Sequence, residues 1–234
     1  MSLTPLAAVI QKNQHVFHKV VPFEAGKNKL HAFDFTQANT ALTPAIINNT
    51  NAFSNYINQT LQDSYASYVI GGYNEHREIY NRSTHFNTTE TGEPRRLHLG
   101  IDIWGPAGTP VYAPMGGMIH SFAYNNEYGD YGATIILMHQ LEGLAFYTLY
   151  GHLSLKDISV ISEGNYITIG QEFAHFGPPE ENGQWPPHLH FQIIEMLEWK
   201  KGDYPGVCKL SERDKYLQNC PNPDLILQMM QYAV

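Results

Sequence analysis

The residues with the clearest chemical potential are His98-Leu-Gly-Ile-Asp102 and, far downstream, His188-Leu-His190. Neutral imidazole nitrogens and a carboxylate oxygen are donors that a borderline-soft Zn²⁺ accepts, and three protein ligands leave a fourth position open to water. The set therefore implies a hydrolytic centre. In an extended strand residues i and i+2 share a face, so His188 and His190 point into the same space, where one can hold a metal while the other serves a reacting water. Pro186 and Pro187 keep the entry to this strand extended and offer no backbone donor, as suits a strand that begins at the rim of a groove.

The upstream pair requires a bend. Four residues of ideal strand span about 13 Å, whereas two donors at about 2.0–2.2 Å from one ion lie within roughly 4 Å of each other. Gly100 is the residue that permits the chain to turn between His98 and Asp102. A third run, Tyr147-Thr-Leu-Tyr150-Gly151-His152-Leu-Ser154, reads as a strand ending at Gly and His. Paired beside the His188 strand, it would bring His152 close to the metal water. Two imidazoles that are not ligands can there divide removal of a proton and stabilisation of an oxyanion.

The elements that must position these residues are mainly strands. From about Arg96 onward, short apolar runs separated by Gly and Pro predict an antiparallel β domain: Thr109–Pro114, Gly117–Phe122, Ala133–Met138 and Ala145–Tyr150. Upstream, His15–Val21 and Leu30–Phe35 read as strand-like. Phe53, Tyr56, Ile57, Leu61 and Tyr65 recur at three and four, which predicts an amphipathic helix docked on the sheet. Near the end, Asn222-Pro223-Asp224 offers an N-cap and a Pro at the first helical position, so the last dozen residues are expected to form a packing helix. The expected organisation is an N-terminal mixed α/β elaboration over 1–90, a core over 91–200 and a C-terminal helical extension over 201–234.

Composition limits the partners. The chain has 234 residues and a net charge of −8, with no run of Lys or Arg to hold a polyphosphate, so nucleic acid is not an expected partner. The first ten residues lack a basic n-region, and no apolar run reaches the roughly 18 residues of a spanning helix, so the chain reads as a cytosolic protein without a membrane partner. Four Asn-x-Ser/Thr triplets, starting at Asn48, Asn58, Asn81 and Asn87, are ascribed to the Asn-rich composition of this region. Cys208 and Cys220 flank a short predicted helix of about nine residues, roughly 14 Å long. This exceeds the roughly 7 Å Cα limit for a bridge, and both are expected as free thiols.

In their order, His98-x-Gly-x-Asp102, Tyr150-Gly-His152-Leu-Ser and His188-Leu-His190-Phe resemble the lysostaphin and LytM type zinc metallopeptidases, peptidase family M23. The resemblance covers Leu97 to Ile194 and includes Gly108–Ile119 and Gly164–Gln171, which look like the family's hairpins. It implies a β-sheet groove of the lysostaphin type with helical additions at both ends. It further implies that His98, Asp102 and His190 hold Zn²⁺, that His152 and His188 are the catalytic pair, and that the reaction is hydrolysis of a peptide bond in peptidoglycan cross-links or in glycyl and D-aminoacyl peptides. The segments Glu181–Pro187 and Asp203–Val207 resemble a branch fused elsewhere to a kinase-like phosphotransferase and a class III aminotransferase. The competing reading is accordingly a non-hydrolytic, metal-containing regulatory module beside amine or phosphoryl metabolism. Two further features invite tests: Trp185 as a groove wall, and Gly71–Tyr80 as a segment that lines the groove or blocks it with a donated side chain.

Overall fold

Three of the apolar runs downstream of Arg96, Gly117–Phe122, Ala133–Met138 and Ala145–Tyr150, fall in one large sheet, while Thr109–Pro114 supplies a strand of a separate two-stranded sheet. The computed structural model describes residues 3–87 and 92–234; the triplet at Asn87 and the expected boundary at 90/91 run into positions outside them. The chain opens with α1 (Pro5–Lys12), whose N-cap Thr4 accepts a hydrogen bond from the Ala7 N–H, and reaches β1 (Leu30–Phe33). Then come α2 (Pro44–Ile47), α3 (Thr50–Ser64) and β2 (Tyr68–Gly71). A bend at Gly100 separates β3 (Leu97–His98) from β4 (Ile101–Trp104). Next come β5 (Pro110–Tyr112), which pairs with the later strand Glu172–His175 in the two-stranded sheet, and the antiparallel run β6 (Gly117–Asn125), β7 (Gly132–Leu141) and β8 (Leu144–Leu153) of the large sheet. After α4 (Leu155–Ile158) come β9 (Tyr166–Ile167), β10 (Glu172–His175), β11 (His188–Ile194) and β12 (Val207–Cys208). The short helices α5 (Arg213–Asn219) and α6 (Asp224–Leu227) lie near the end.

The fold is mainly β. Eight strands form one sheet in the order β1-β2-β4-β11-β8-β7-β6-β9. Its neighbours are antiparallel except β1 and β2, which run parallel. A parallel pair needs a crossover, and α2 with α3 supplies it. Every residue of β11 is buried, because the strand is central and both faces are covered. One face contributes Ile101, Ile103, Leu189, Phe191 and Ile193 to the main core. The opposite face carries Asp102, Trp104, His188 and His190, between an aromatic cluster supplied largely by residues 33–86 and a second cluster around Leu97, Leu149 and Tyr204.

Several sequence expectations are corrected. His15–Val21 is not a strand: Gln14–Val16 is a 3₁₀ turn, and Pro22 follows Val21 directly. The helical stripe is buried at Phe53 and Ile57, but Tyr65 sits beyond the helix as its left-handed C-cap (φ 52°) and is exposed. The terminal helix is only Asp224–Leu227. It stops at Gln228, whose φ of 51° is incompatible with continuation, and the Asn222 side chain accepts from the Asp224 N–H in a local turn. Cys208 and Cys220 are both free and buried. Among the described residues no helix is long and apolar enough to cross a membrane.

A buried histidine remote from the chemical site makes stability depend on pH. His139 of β7 packs on Phe146, with Nδ1 3.0 Å from the Gly116 carbonyl and Nε2 2.7 Å from the Thr148 hydroxyl. Burial lowers its pKa to about 4. Between that value and the unfolded value near 6.5 the unfolded chain binds a proton that the folded chain refuses, so stability falls as pH drops through this window. The total loss is of the order of 3 kcal/mol at about 1.4 kcal/mol per unit. Urea unfolding of metal-free wild type and His139→Gln at pH 7 and pH 4.5 should show the variant losing less stability on acidification; equal losses would contradict the assignment.

Candidate metal centre and active site

Strand register brings the separated histidines together. His190 of β11 lies opposite Asp102 of β4, and His188 lies opposite Trp104. The bend at Gly100 brings His98 back towards Asp102, so that donor atoms of His98, Asp102 and His190 lie within 4.8 Å of one another. Gly100 is required by close approach rather than by a left-handed φ, because a Cβ there would stand 2.4 Å from the His190 ring. Gly206 is needed for the same reason: a Cβ would meet the Tyr131 hydroxyl at 1.9 Å and His190 at 3.1 Å.

The hydrogen bonds fix which atoms face inward. His98 Nδ1 is 3.0 Å from the Gly72 carbonyl, which can only accept, so its Nε2 carries the lone pair. His190 Nε2 is 2.9 Å from Gln192 Oε1. The Gln192 amide is oriented by its own NH₂ group, which donates to the Pro205 carbonyl and the Cys220 sulfur. The His190 Nδ1 lone pair therefore faces the centre. These two nitrogens are 3.0 Å apart, and Asp102 Oδ1 lies 3.0 Å from His190 Nδ1 and 3.3 Å from His98 Nε2.

With these tautomers three acceptors converge with no hydrogen among them, a repulsive arrangement that a bound cation would relieve. Donors at about 2.0–2.1 Å around a tetrahedral Zn²⁺ are separated by roughly 3.4 Å, and the N₂O set suits that ion. The residues fit the group. Burial lowers the His98 pKa to about 4, with Arg77 adding to the effect. Burial raises the Asp102 carboxyl, but His98 and Arg77 beside it outweigh this and hold it well below the usual carboxylate range.

His152 and His188 complete the cavity. Residues opposite in the ladder share a face, and Gly151 is paired with His190, so strict alternation would send His152 to the opposite face with Tyr150. Its left-handed backbone (φ 62°) breaks the alternation, and its ring stacks on His188 with centroids 4.0 Å apart. His152 Nδ1 donates to the Asn182 carbonyl (2.8 Å) and His188 Nδ1 to the Pro186 carbonyl (2.8 Å). Each ring keeps its Nε2 lone pair free. Burial lowers both pKa values, that of His188 to about 3 and that of His152 well below its ordinary value, so both imidazoles are neutral bases.

All five residues are buried, and four of them (Asp102, His152, His188 and His190) line one cavity of about 340 Å³ together with Tyr80, Trp104, Tyr131 and Trp185. Trp185 is thus both packed (3% exposed) and part of the wall. The indole N–H groups of Trp104 and Trp185 are buried without a hydrogen-bond partner. Of the segment Gly71–Tyr80, Ile79 and Tyr80 line the cavity; none of its side chains belongs to the donor trio. Sequence reasoning missed Arg77, which bonds to Asp102, and Gln192 and Tyr131, which flank His190. A signal for Gln192 was available, since it continues the i, i+2 series of His188 and His190 as a polar residue in an apolar strand.

A mainly β fold thus brings a buried His-Asp-His trio beside two further histidines, and comparison with known proteins finds peptidases among the similar sequences. Residues 96–203, just under half of the chain, match the description of peptidase family M23. An L-Ala--D-Glu endopeptidase of Bacillus subtilis (strain 168) is 28% identical over 131 residues, 52% of this chain and 37% of that protein. The DD-carboxypeptidase/endopeptidase Mpg of Neisseria meningitidis serogroup B (strain ATCC BAA-335 / MC58) is 35% identical over 97 residues, 42% of this chain and 20% of that protein. The chain therefore spans well under two thirds of these relatives' lengths. The catalytic domain of lysostaphin from Staphylococcus simulans is 21% identical, with 70% of this chain and 96% of that domain covered and a TM-score of 0.39.

Proposed function

We propose that this protein is a zinc-dependent peptidase that hydrolyses a peptide or amide bond in glycyl or D-aminoacyl peptides, including those of peptidoglycan cross-links. The observation that carries the reading is the convergence of three hydrogen-free acceptors, His98 Nε2, Asp102 Oδ1 and His190 Nδ1, beside two neutral imidazoles. His98, Asp102 and His190 hold the ion, and His152 and His188 are the catalytic pair. The names of the relatives, which specify L-Ala–D-Glu and DD bonds, support the substrate class. We assign the catalytic unit to residues 91–200, with 1–90 and 201–234 as additions around it.

A bound Zn²⁺ supplies Lewis acidity, lowering the pKa of a water towards about 7 and polarising the scissile carbonyl. The protein's own residues manage the protons. His152 and His188 enter neutral, so an Nε2 accepts the proton of the attacking water; the imidazolium formed donates to the developing oxyanion or to the leaving amine. The Asn182 and Pro186 carbonyls hold the rings in the tautomer this requires. Trp104 stacks on His188 at 3.8 Å and excludes water from its face.

Incubation with purified peptidoglycan and a panel of glycyl and D-aminoacyl peptides, with and without chelator, tests the proposal by counting new amine ends. Chelator-sensitive release is expected. No chelator-sensitive product from any member of the panel would turn the reading towards a non-hydrolytic binding module.

A further inference from the structure

We infer that Arg77 is a positioning residue that confines Asp102 to a single metal-facing oxygen. The inference rests on the metal reading above. Arg77 lies between β2 and the 3₁₀ turn at Glu78–Arg82, outside the segment matched by the family, and it is completely buried. Its Nη1 donates to Asp102 Oδ2, its Nε to Glu75 Oε2 at 2.6 Å and its Nη2 to the Gly72 carbonyl at 3.2 Å. That carbonyl also accepts from His98 Nδ1, so one peptide group steadies a ligand and the arginine together. The guanidinium rests over the Phe35 ring at 4.9 Å, and the Arg77 N–H donates to the Arg96 carbonyl at 2.9 Å. The side chain is held from every direction.

The consequence concerns the two oxygens of Asp102. Oδ1 faces His98 and His190, while Oδ2 is taken by the guanidinium. A carboxylate released from this contact is free to rotate and offer both oxygens to one ion, which would fill the position a substrate carbonyl or water needs. A planar guanidinium holding three acceptors at fixed angles prevents this; an ammonium, a point charge on a flexible stem, does not reproduce the fork. Outer partners of metal ligands typically change metal affinity by about 10–100-fold when removed. The N-terminal region thereby contributes to the centre without supplying a ligand.

The test uses the full chain as wild type, Arg77→Lys, Arg77→Gln and the milder Glu75→Gln, which loosens the fork while leaving the Asp102 contact. Zinc affinity is measured by chelator competition, coordination by the visible absorption of the Co²⁺-loaded protein, and folding by circular dichroism. Both Arg77 variants should bind zinc about 10–100-fold more weakly, and their Co²⁺ bands should weaken as coordination number rises. Lys should not rescue the spectrum, and Glu75→Gln should move affinity in the same direction by a smaller factor. Should an Arg77 variant fail to fold, the sign of the Glu75→Gln shift decides. Unchanged affinity and spectrum in folded variants overturn the role of Arg77 alone. A wild type that binds neither ion overturns the metal reading as well.

Discussion

His188→Gln is expected to keep its metal and lose its reaction. The His188 Nδ1 is committed to the Pro186 carbonyl and its ring is stacked between Trp104 and His152. It is absent from the trio of converging donors. Glutamine retains polarity and most of the volume but cannot accept a proton at neutral pH. Proton transfer by a positioned side chain is commonly worth about 10²–10⁴-fold, so kcat should fall by that order while metal content stays equal to that of wild type. His152→Gln should behave alike, and the double variant should fall by much less than the product of the two if the stacked pair acts as a unit. Metal analysis beside steady-state kinetics checks the prediction. Loss of metal from His188→Gln would mean that His188 and His190 have their roles exchanged.

How these residues come together was only partly legible in the sequence. Motifs within one strand were readable, because alternation alone places His188 and His190 on one face. The bend at Gly100 was readable from a distance argument, although the physical reason for glycine proved to be the His190 ring packed against it. His152 was placed near the site by supposing that two strands pair; the left-handed residue that turns its ring inward is a conformation no periodicity announces. Arg77 was invisible for a different reason. Its partners are Asp102 on β4 and the Gly72 carbonyl, and these meet it only because β2 pairs with β4. A charged residue in a polar segment reads as solvent-exposed until that pairing is known, and the same segment had suggested a groove lining or a plug. The short terminal helix failed in the opposite sense. Its start was signalled by Asn222 and Pro223, but it stops at a left-handed Gln228, without the Gly or Pro that would announce a stop in the sequence.

His190→Ala should abolish stable metal binding, and with it the activity, while the chain still folds. Losing one of three ligands removes about a third of an apparent zinc binding free energy of roughly 10–16 kcal/mol. That is about 3–5 kcal/mol, or of the order of 10²–10⁴-fold in Kd. Folding should survive because Asp102 keeps its ion pair with Arg77, so its buried carboxylate is not left without a counter-charge, the situation that makes breaking a buried pair so costly. The groups that do lose a partner are Gln192 Oε1 and the Tyr131 hydroxyl, and the space vacated by the imidazole is lined by polar atoms that a water can satisfy. The signature is therefore specific: near-normal circular dichroism, no metal after dialysis against a weak chelator, and no amine release from any peptide, in contrast to His188→Gln, which keeps its metal. Stoichiometric zinc retained by His190→Ala would overturn the ligand assignment and require a donor other than the three named here.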